Sequence, residues 1–112
     1  MIAVIFELRP ARTERYFELA ASLRAELARI PGFISVERFE SLAEPGKYLS
    51  LSFFTDEDAV TQWRELWGHR AAQTEARNGV LGDYRLRVAY VSRDYGMERR
   101  DQAPEGSRAC HG

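Results

Sequence analysis

A chain of 112 residues has the length of one domain and can bury a core without disulfide or metal support. Its 45% hydrophobic and 29% charged residues are the balance of a soluble globular protein. The net charge of −1 gives no sign of a nucleic-acid or anionic-membrane partner, and no apolar run approaches the ~20 residues that span a bilayer. Cys110 is the only cysteine, so no intramolecular disulfide can form. Because MIAVIFELRP lacks the basic start of a signal peptide, we expect a cytoplasmic protein.

The first predicted element is a strand over residues 2–8. The segment IAVIFEL is short, rich in β-branched residues and closed by Arg9-Pro10, which disfavours a helix. A strand that is apolar on both faces is expected to be covered on both faces. Residues 12–30 then show helical spacing and end at Pro31-Gly32. The apolar stripe of this predicted helix consists of Tyr16, Leu19, Ala20, Leu23, Leu27 and Ile30.

Two further strands are predicted to form an antiparallel hairpin. They cover residues 33–42 and 48–54, and the turn between them contains Pro45-Gly46. The segment TDED at 55–58 then matches the capping-box signature at the start of a second helix. This helix places one apolar face inward, formed by Ala59, Val60, Trp63, Leu66 and Trp67.

Gly68 interrupts the apolar pattern of the second helix. A helix that ran straight on would continue its apolar stripe with Arg70, Thr74 and Arg77. We therefore predict a break or register shift near Gly68, after which residues 69–77 turn a different face inward. That face contains His69, Ala72, Gln73 and Ala76.

A loop at NGVLGD leads into the last predicted strand, residues 84–92. Alternation along this strand separates Leu86, Val88 and Tyr90 from Arg85, Arg87, Ala89 and Val91. Residues 1–93 form the predicted domain. Residues 94–112 lack any period, so we predict a C-terminal tail that is partly disordered.

The order strand–helix–strand–strand–helix–strand predicts a ferredoxin-like α+β fold with a four-stranded antiparallel sheet. Both helices would cover one face of that sheet. The other face carries Ala3, Ile5, Ala89 and Val91, or their neighbours, and is too apolar for water. The simplest cover is the same face of a second copy, which predicts a homodimer.

The layout of YLSLSFFTDEDAVTQWRELWGHRAAQ, followed by YRLRVAYVSR, resembles the antibiotic biosynthesis monooxygenase (ABM) family over about residues 1–93. The most specific part is a strand, an acidic helix start, and Trp63 followed after five residues by His69. The resemblance implies a dimeric α+β barrel with a cavity between sheet and helices in each subunit. Some members of the family are similar to anthrone oxygenases and use O₂ without flavin, metal or haem, whereas others degrade haem.

The leading hypothesis is a monooxygenase that oxidises an electron-rich aromatic or polyketide-like small molecule with O₂ and no cofactor. In it, His69 is the catalytic base, since the pKa of a neutral imidazole lies near working pH. Trp63 and Trp67 stack on the substrate, while Arg85 or Arg87 stabilises an enolate or peroxide anion. Gln73 completes the predicted substrate-binding residues. Tyr48, Tyr84 and Tyr90 are possible hydroxyl donors, and the sequence does not choose among them. No metal site is predicted, because Cys110 and His111 have no partner at metal spacing.

Two alternatives compete with the leading hypothesis. A dimeric binding or regulatory module would use a tryptophan-lined cavity without any base. Haem degradation fits less well, because the resemblance implies a histidine at the position of Gln73 and an asparagine on the first strand. The only asparagine of the chain is Asn78. Packing alone also explains several candidates, since tryptophans at helical spacing usually lie in a core and His69 could bond a backbone carbonyl.

Overall fold

The computed structural model describes residues 1–73, 82–99 and 101–103, without the side chains of residues 70–73. Its elements, in chain order, are β1 (Ile2–Arg9), α1 (Thr13–Leu27), β2 (Phe33–Glu40), β3 (Tyr48–Phe54), α2 (Glu57–Gln73) and β4 (Asp83–Tyr90). The sheet order is β2-β3-β1-β4, and every neighbouring pair is antiparallel. Each helix therefore links two strands that lie on either side of a third. This is the predicted ferredoxin-like α+β fold.

The core lies between the two helices and one face of the sheet. From β1, Ile2 and Val4 enter a cluster with residues of both helices and with Phe54 of β3, while Phe6 and Leu8 enter a second cluster with Tyr16. At most 9% of any of these side chains is exposed. Because side chains alternate along a strand, Ala3, Ile5 and Glu7 lie on the other face.

The connection from α1 to β2 requires glycine at position 32. Gly32 has φ of 91°, and a Cβ added there would lie 2.5 Å from Thr55 Oγ1. The Thr55 amide donates to the Gly32 carbonyl at 2.8 Å. This bond joins the loop after α1 to the residue that precedes the cap of α2. The positive φ and the close approach of the Thr55 side chain together explain the glycine.

The start of α2 differs from the capping box expected at Thr55. The helix begins at Glu57, and Asp56 supplies the cap, because its Oδ1 accepts from the Ala59 amide at 2.9 Å. Glu57 and Asp58 lie in the first turn, where the helix dipole favours negative charge.

The predicted break at Gly68 is wrong. α2 runs without interruption from Glu57 to Gln73, and Gly68 is one of its helical residues. The prediction assumed that the helix stays buried along its whole length. Under that assumption a charged residue at position 70 could not lie on the apolar stripe, so the pattern required a break. This part of α2 is instead open to solvent at Gly68 and His69, both of which are exposed. The predicted inward turn of Ala76 lies outside the described residues.

The sheet face away from the helices is partly apolar. Ile5 of β1 and Leu51 of β3 are paired neighbours on this face, and both are half-buried. Leu49 and Phe53 flank Leu51 along β3. The separation of Arg85, Arg87 and Ala89 from Leu86 and Val88 on β4 is confirmed by their pairing with β1. No helix in the described ranges is long and apolar enough to cross a membrane.

Within the predicted tail, the structure describes residues 94–99 and 101–103, none of which lies in a helix or strand. The Asp94 amide donates to Gln102 Oε1 at 2.7 Å, and the Gly96 amide donates to the Arg99 carbonyl at 2.7 Å. The Ala103 side chain is buried. The remainder of the predicted tail, from residue 104, lies outside the described residues.

Candidate functional site

An open apolar groove lies between α2 and the edge strand β4. The helices pack over β1 and β3, so the side chains of β4 that face the same way are left uncovered. Four of them are 39–72% exposed although they are apolar or aromatic, namely Tyr84, Leu86, Val88 and Tyr90. Exposed apolar surface is typical of interaction sites, so this groove is a candidate site.

Three aromatic rings form the wall and floor at one end of this groove. The Phe6 ring of β1 lies 6.1 Å from the Trp67 ring of α2 and 5.5 Å from the Tyr84 ring of β4, measured between centroids. Both pairs are tilted, at 40° and 41°. Phe6 is buried, whereas Trp67 is half-buried and Tyr84 is exposed. Trp67 and Tyr84 therefore present aromatic surface at this end of the groove.

The other end of the groove is crossed by a hydrogen bond. The Tyr90 hydroxyl donates to the Glu57 carboxylate in the first turn of α2. This hydrogen bond and the negative charge of Glu57 raise the pKa of the Tyr90 phenol. The groove is thus aromatic at the end near Trp67 and polar at the end near Glu57. Of the three tyrosines left open by the sequence, Tyr84 and Tyr90 lie on the groove, while Tyr48 packs edge-on against Phe17.

The two tryptophans have different surroundings. Trp63 is 7% exposed and belongs to the core cluster that contains Ile2 and Val4. Trp67 is half-buried and contacts both core clusters, so it stands where the core meets the groove. Trp67 is therefore accessible to a ligand in the groove, whereas Trp63 packs α2 against the core.

A buried tyrosine and an arginine form a polar pair behind the groove floor. Tyr16 of α1 is fully buried and shares a cluster with Phe6 and Leu8. The Arg38 Nε–H of β2 donates to the Tyr16 hydroxyl at 3.2 Å, and its guanidinium lies 5.5 Å from the ring centroid. Burial raises the pKa of Tyr16, although the Arg38 charge and hydrogen bond act to lower it. The sequence stripe identified Tyr16 as core but gave no signal for Arg38.

His69 lies on the exposed part of α2, two residues beyond Trp67. Two residues correspond to about 200° around an α-helix, so an unbroken helix turns His69 away from the Trp63 and Trp67 face. The structure therefore does not bring His69 beside the tryptophans. Gln73 is the last residue of α2, and its side chain lies outside the described part.

Arg85 and Arg87 lie on the sheet face opposite the groove. They line a cleft of about 270 Å³ at one end of the sheet, together with Arg9 and Lys47. Glu7 partly neutralises this cleft, since its carboxylate lies 3.4 Å from Arg87 Nη1 and 4.0 Å from Lys47 Nζ. Tyr84 also lines the cleft, and it is the one residue shared with the aromatic end of the groove. The predicted site residues thus lie in three separate places: the tryptophans at the core and groove, His69 on the exposed side of α2, and the two arginines on the opposite face of the sheet.

These features define a class of protein: a ferredoxin-like α+β domain with an aromatic-walled groove between its second helix and an edge strand. The family model of the antibiotic biosynthesis monooxygenases matches residues 1–75, which include β1 and all of α2. The chain belongs to the antibiotic biosynthesis monooxygenase family.

Two relatives share the sequence over most of this domain. The jasmonate monooxygenase ABM of Pyricularia oryzae is 50% identical over 94 residues, which are 82% of this chain and 44% of that protein. The uncharacterized protein YqjZ of Bacillus subtilis is 32% identical over 92 residues, which are 81% of this chain and 79% of that protein. The chain thus spans less than half of the fungal relative.

Solved structures agree on the fold at low sequence identity. A protein of Deinococcus radiodurans superposes with a TM-score of 0.68 at 14% identity, over 86% of this chain and 97% of that one. SnoaB, a cofactor-independent oxygenase from Streptomyces nogalater, superposes with a TM-score of 0.64 at 16% identity. That match covers 83% of this chain and 94% of SnoaB.

Proposed function

We propose that this chain is a cofactor-independent monooxygenase that oxidises a small, electron-rich aromatic or polyketide-like molecule with O₂. The observation that carries the proposal is the aromatic end of the groove, where Phe6, Trp67 and Tyr84 pack together and the Trp67 and Tyr84 rings are accessible to a flat ligand. Membership of the family and the likeness to SnoaB support the reaction type. The fungal relative adds a second ring type to test, because jasmonate is a cyclopentanone.

The chemistry needs an acidic C–H or O–H on the substrate. Removal of a proton from an activated ring methylene leaves a carbanion, which transfers an electron to O₂ and then combines with it as a peroxide anion. Protonation of the peroxide and loss of water leave a carbonyl at that carbon. One CH₂ and one O₂ thus give one C=O and one H₂O, and no external reductant enters the balance. A carbon beside the ketone of a cyclopentanone is activated in the same way.

The groove residues would act mainly by binding and orientation. Trp67, Phe6 and Tyr84 hold the ring and exclude water from it, which strengthens every electrostatic interaction with the developing anion. His69 remains the candidate base from the sequence, but the unbroken α2 turns it away from the groove, so its role rests on the His69→Ala experiment below. Arg85 and Arg87 would meet only a substrate group that reaches around Tyr84 to the cleft.

Oxygen uptake tests the proposal directly. The substrates to compare are hydroxyanthrones, hydroquinones and jasmonate, each with the purified protein and no added reductant. We expect uptake of one O₂ per substrate oxidised for at least one ring type. Tyr84→Ala should reduce kcat/KM because it removes one wall of the groove, while Arg64→Ala on the exposed side of α2 serves as the matched control.

The His69→Ala variant tests the proposed base independently of the binding surface. Loss of a general base lowers turnover by roughly 10²–10⁴-fold. Unchanged oxygen uptake in His69→Ala would exclude this residue as the base. The proposed site would then consist of the groove residues alone. Absence of uptake for every substrate would contradict the monooxygenase proposal itself.

A second candidate function is a non-catalytic small-ligand-binding or regulatory module of the same fold. The observation that favours it is the unbroken α2, which turns His69 away from the groove. Under this alternative, the same compounds quench Trp67 fluorescence saturably without any consumption of O₂. Haem degradation has no comparable support, because Gln73 stands where that branch requires histidine.

We also propose that the protein is a homodimer, as the family resemblance implies, and that it works on a small molecule rather than on nucleic acid or membranes. The support is the partly apolar sheet face that carries Ile5 and Leu51, which the chain's own helices leave uncovered. Stacking of two such faces would complete the α+β barrel.

A further inference from the structure

A cavity of about 370 Å³ lies between α1 and β2, at the opposite edge of the sheet from the groove. Small residues create it, because α1 presents Ala20 and Ala21 toward this edge. Its apolar lining is completed by Leu27 and Val36. A volume of this size falls within the range of small-ligand sites in proteins.

Two arginines line this cavity. Arg24 comes from the last turn of α1, and Arg38 comes from the helix-facing side of β2. Glu37 is the one carboxylate in the lining, and in the described ranges neither it nor Arg24 forms an ion pair. The lining thus carries two positive charges against one negative charge in a partly enclosed space, which favours an anion.

Arg38 is held in place before any ligand arrives. Its Nε–H donates to the fully buried Tyr16 hydroxyl at 3.2 Å, and its guanidinium lies over the Tyr16 ring at 5.5 Å. This leaves the two terminal nitrogens without a protein acceptor in the described part of the chain. A planar guanidinium fixed in this way matches a carboxylate with two parallel hydrogen bonds and loses little entropy on binding.

We propose that the cavity between α1 and β2 is a binding site for a small amphipathic carboxylate. The carboxylate would lie between Arg24 and Arg38, and its alkyl or aryl body would contact Ala20, Leu27 and Val36. The site shares no residue with the groove between α2 and β4, so it is separate from the proposed reaction site and does not depend on it.

Titration with octanoate tests this site, with octanamide as the neutral control. Binding is followed through the amide chemical shifts of the ¹⁵N-labelled full chain. We expect saturable shifts at residues 20–27 and 36–38 with octanoate, and at least about tenfold weaker binding of octanamide, because the charge-assisted hydrogen bonds are lost.

Two matched pairs of variants locate the binding. Arg24→Gln should weaken octanoate binding at least about tenfold, while Arg29→Gln, the same charge change outside the cavity, should leave it unchanged. Ala21→Leu should block binding by filling the cavity with both arginines intact, while Ala25→Leu on the exposed side of α1 should not. All four positions are exposed, so folding should survive each change. Equal affinity for octanoate and octanamide, no saturable shifts, or full binding by Ala21→Leu would overturn the proposal.

Discussion

At the scale of single residues, the two tryptophans of α2 separate core packing from ligand contact. Trp63→Phe removes volume from a cluster in which only 7% of Trp63 is exposed, and should cost on the order of 1–3 kcal/mol of unfolding free energy through the cavity left behind. Trp67→Phe should cost less, because Trp67 is half-buried and can relax toward the groove. Urea denaturation of both variants measures the difference. A larger loss for Trp67 would contradict the assignment of Trp63 to the core.

The buried Tyr16 should make stability depend on pH in the alkaline range. Burial raises the pKa of Tyr16 in the folded protein above its ordinary value of 10.0. The folded state therefore holds this proton more tightly than the unfolded state. Its contribution is fully present below about pH 10 and is lost as the pH rises through the folded pKa.

Thermal melts between pH 8 and 11, a range of about three units chosen to bracket the ordinary tyrosine pKa, measure this dependence. Tyr16→Phe should flatten the alkaline fall in stability. Tyr84→Phe is the control, because it removes a phenol that is 56% exposed. Tyr90, whose pKa is raised by Glu57, remains in both variants. An alkaline fall that is the same in Tyr16→Phe and the wild type would contradict the buried, neutral state of this phenol.

At the scale of elements, the continuity of α2 leads to a prediction at Gly68. An added Cβ at Gly68 meets no heavy atom within 4 Å, and the residue lies inside a regular helix. Gly68→Ala should therefore raise the unfolding free energy by about 0.5–1 kcal/mol, since alanine loses less backbone entropy in a helix. Chemical denaturation measures the change.

Gly32→Ala is the matched control for this substitution. It should destabilise the protein, because Gly32 has a positive φ and its new Cβ would meet Thr55 Oγ1. A loss of stability in Gly68→Ala comparable to that in Gly32→Ala would mean that α2 needs a non-helical conformation at position 68.

At the scale of the whole molecule, the uncovered sheet face predicts a homodimer. Leu51→Glu places a charge in the centre of this face beside Ile5, and should convert a dimer into a monomer because a buried unpaired charge is strongly unfavourable. Leu42→Glu is the control, since Leu42 is fully exposed in the β2–β3 turn. Light scattering at micromolar concentration measures the mass. A wild-type monomer, or a dimer that survives Leu51→Glu, would refute association through this face.

The sequence by itself determined the order of elements, the strand β3 with its correct bounds, and the face to which most side chains belong. These features follow from local chemistry: a period of two or of 3.6 residues, a proline–glycine stop, and acids at a helix start. The alternation of Arg85 and Arg87 against Leu86 and Val88 was predictable for the same reason. The resemblance to the monooxygenase family added the proposed reaction type. The groove adds the residues at which that proposal can be tested.

Only the tertiary structure decided where the groove lies and which residues line it. A periodic pattern cannot tell that the helices leave β4 uncovered, because that depends on sheet order and on how far α2 reaches across the sheet. The same limit explains the error at Gly68: the pattern assumed burial along the whole helix, whereas Gly68 and His69 are exposed and α2 continues without a break. Phe6, Tyr84 and Arg38 gained their roles from partners that are distant in the chain, which no local pattern encodes.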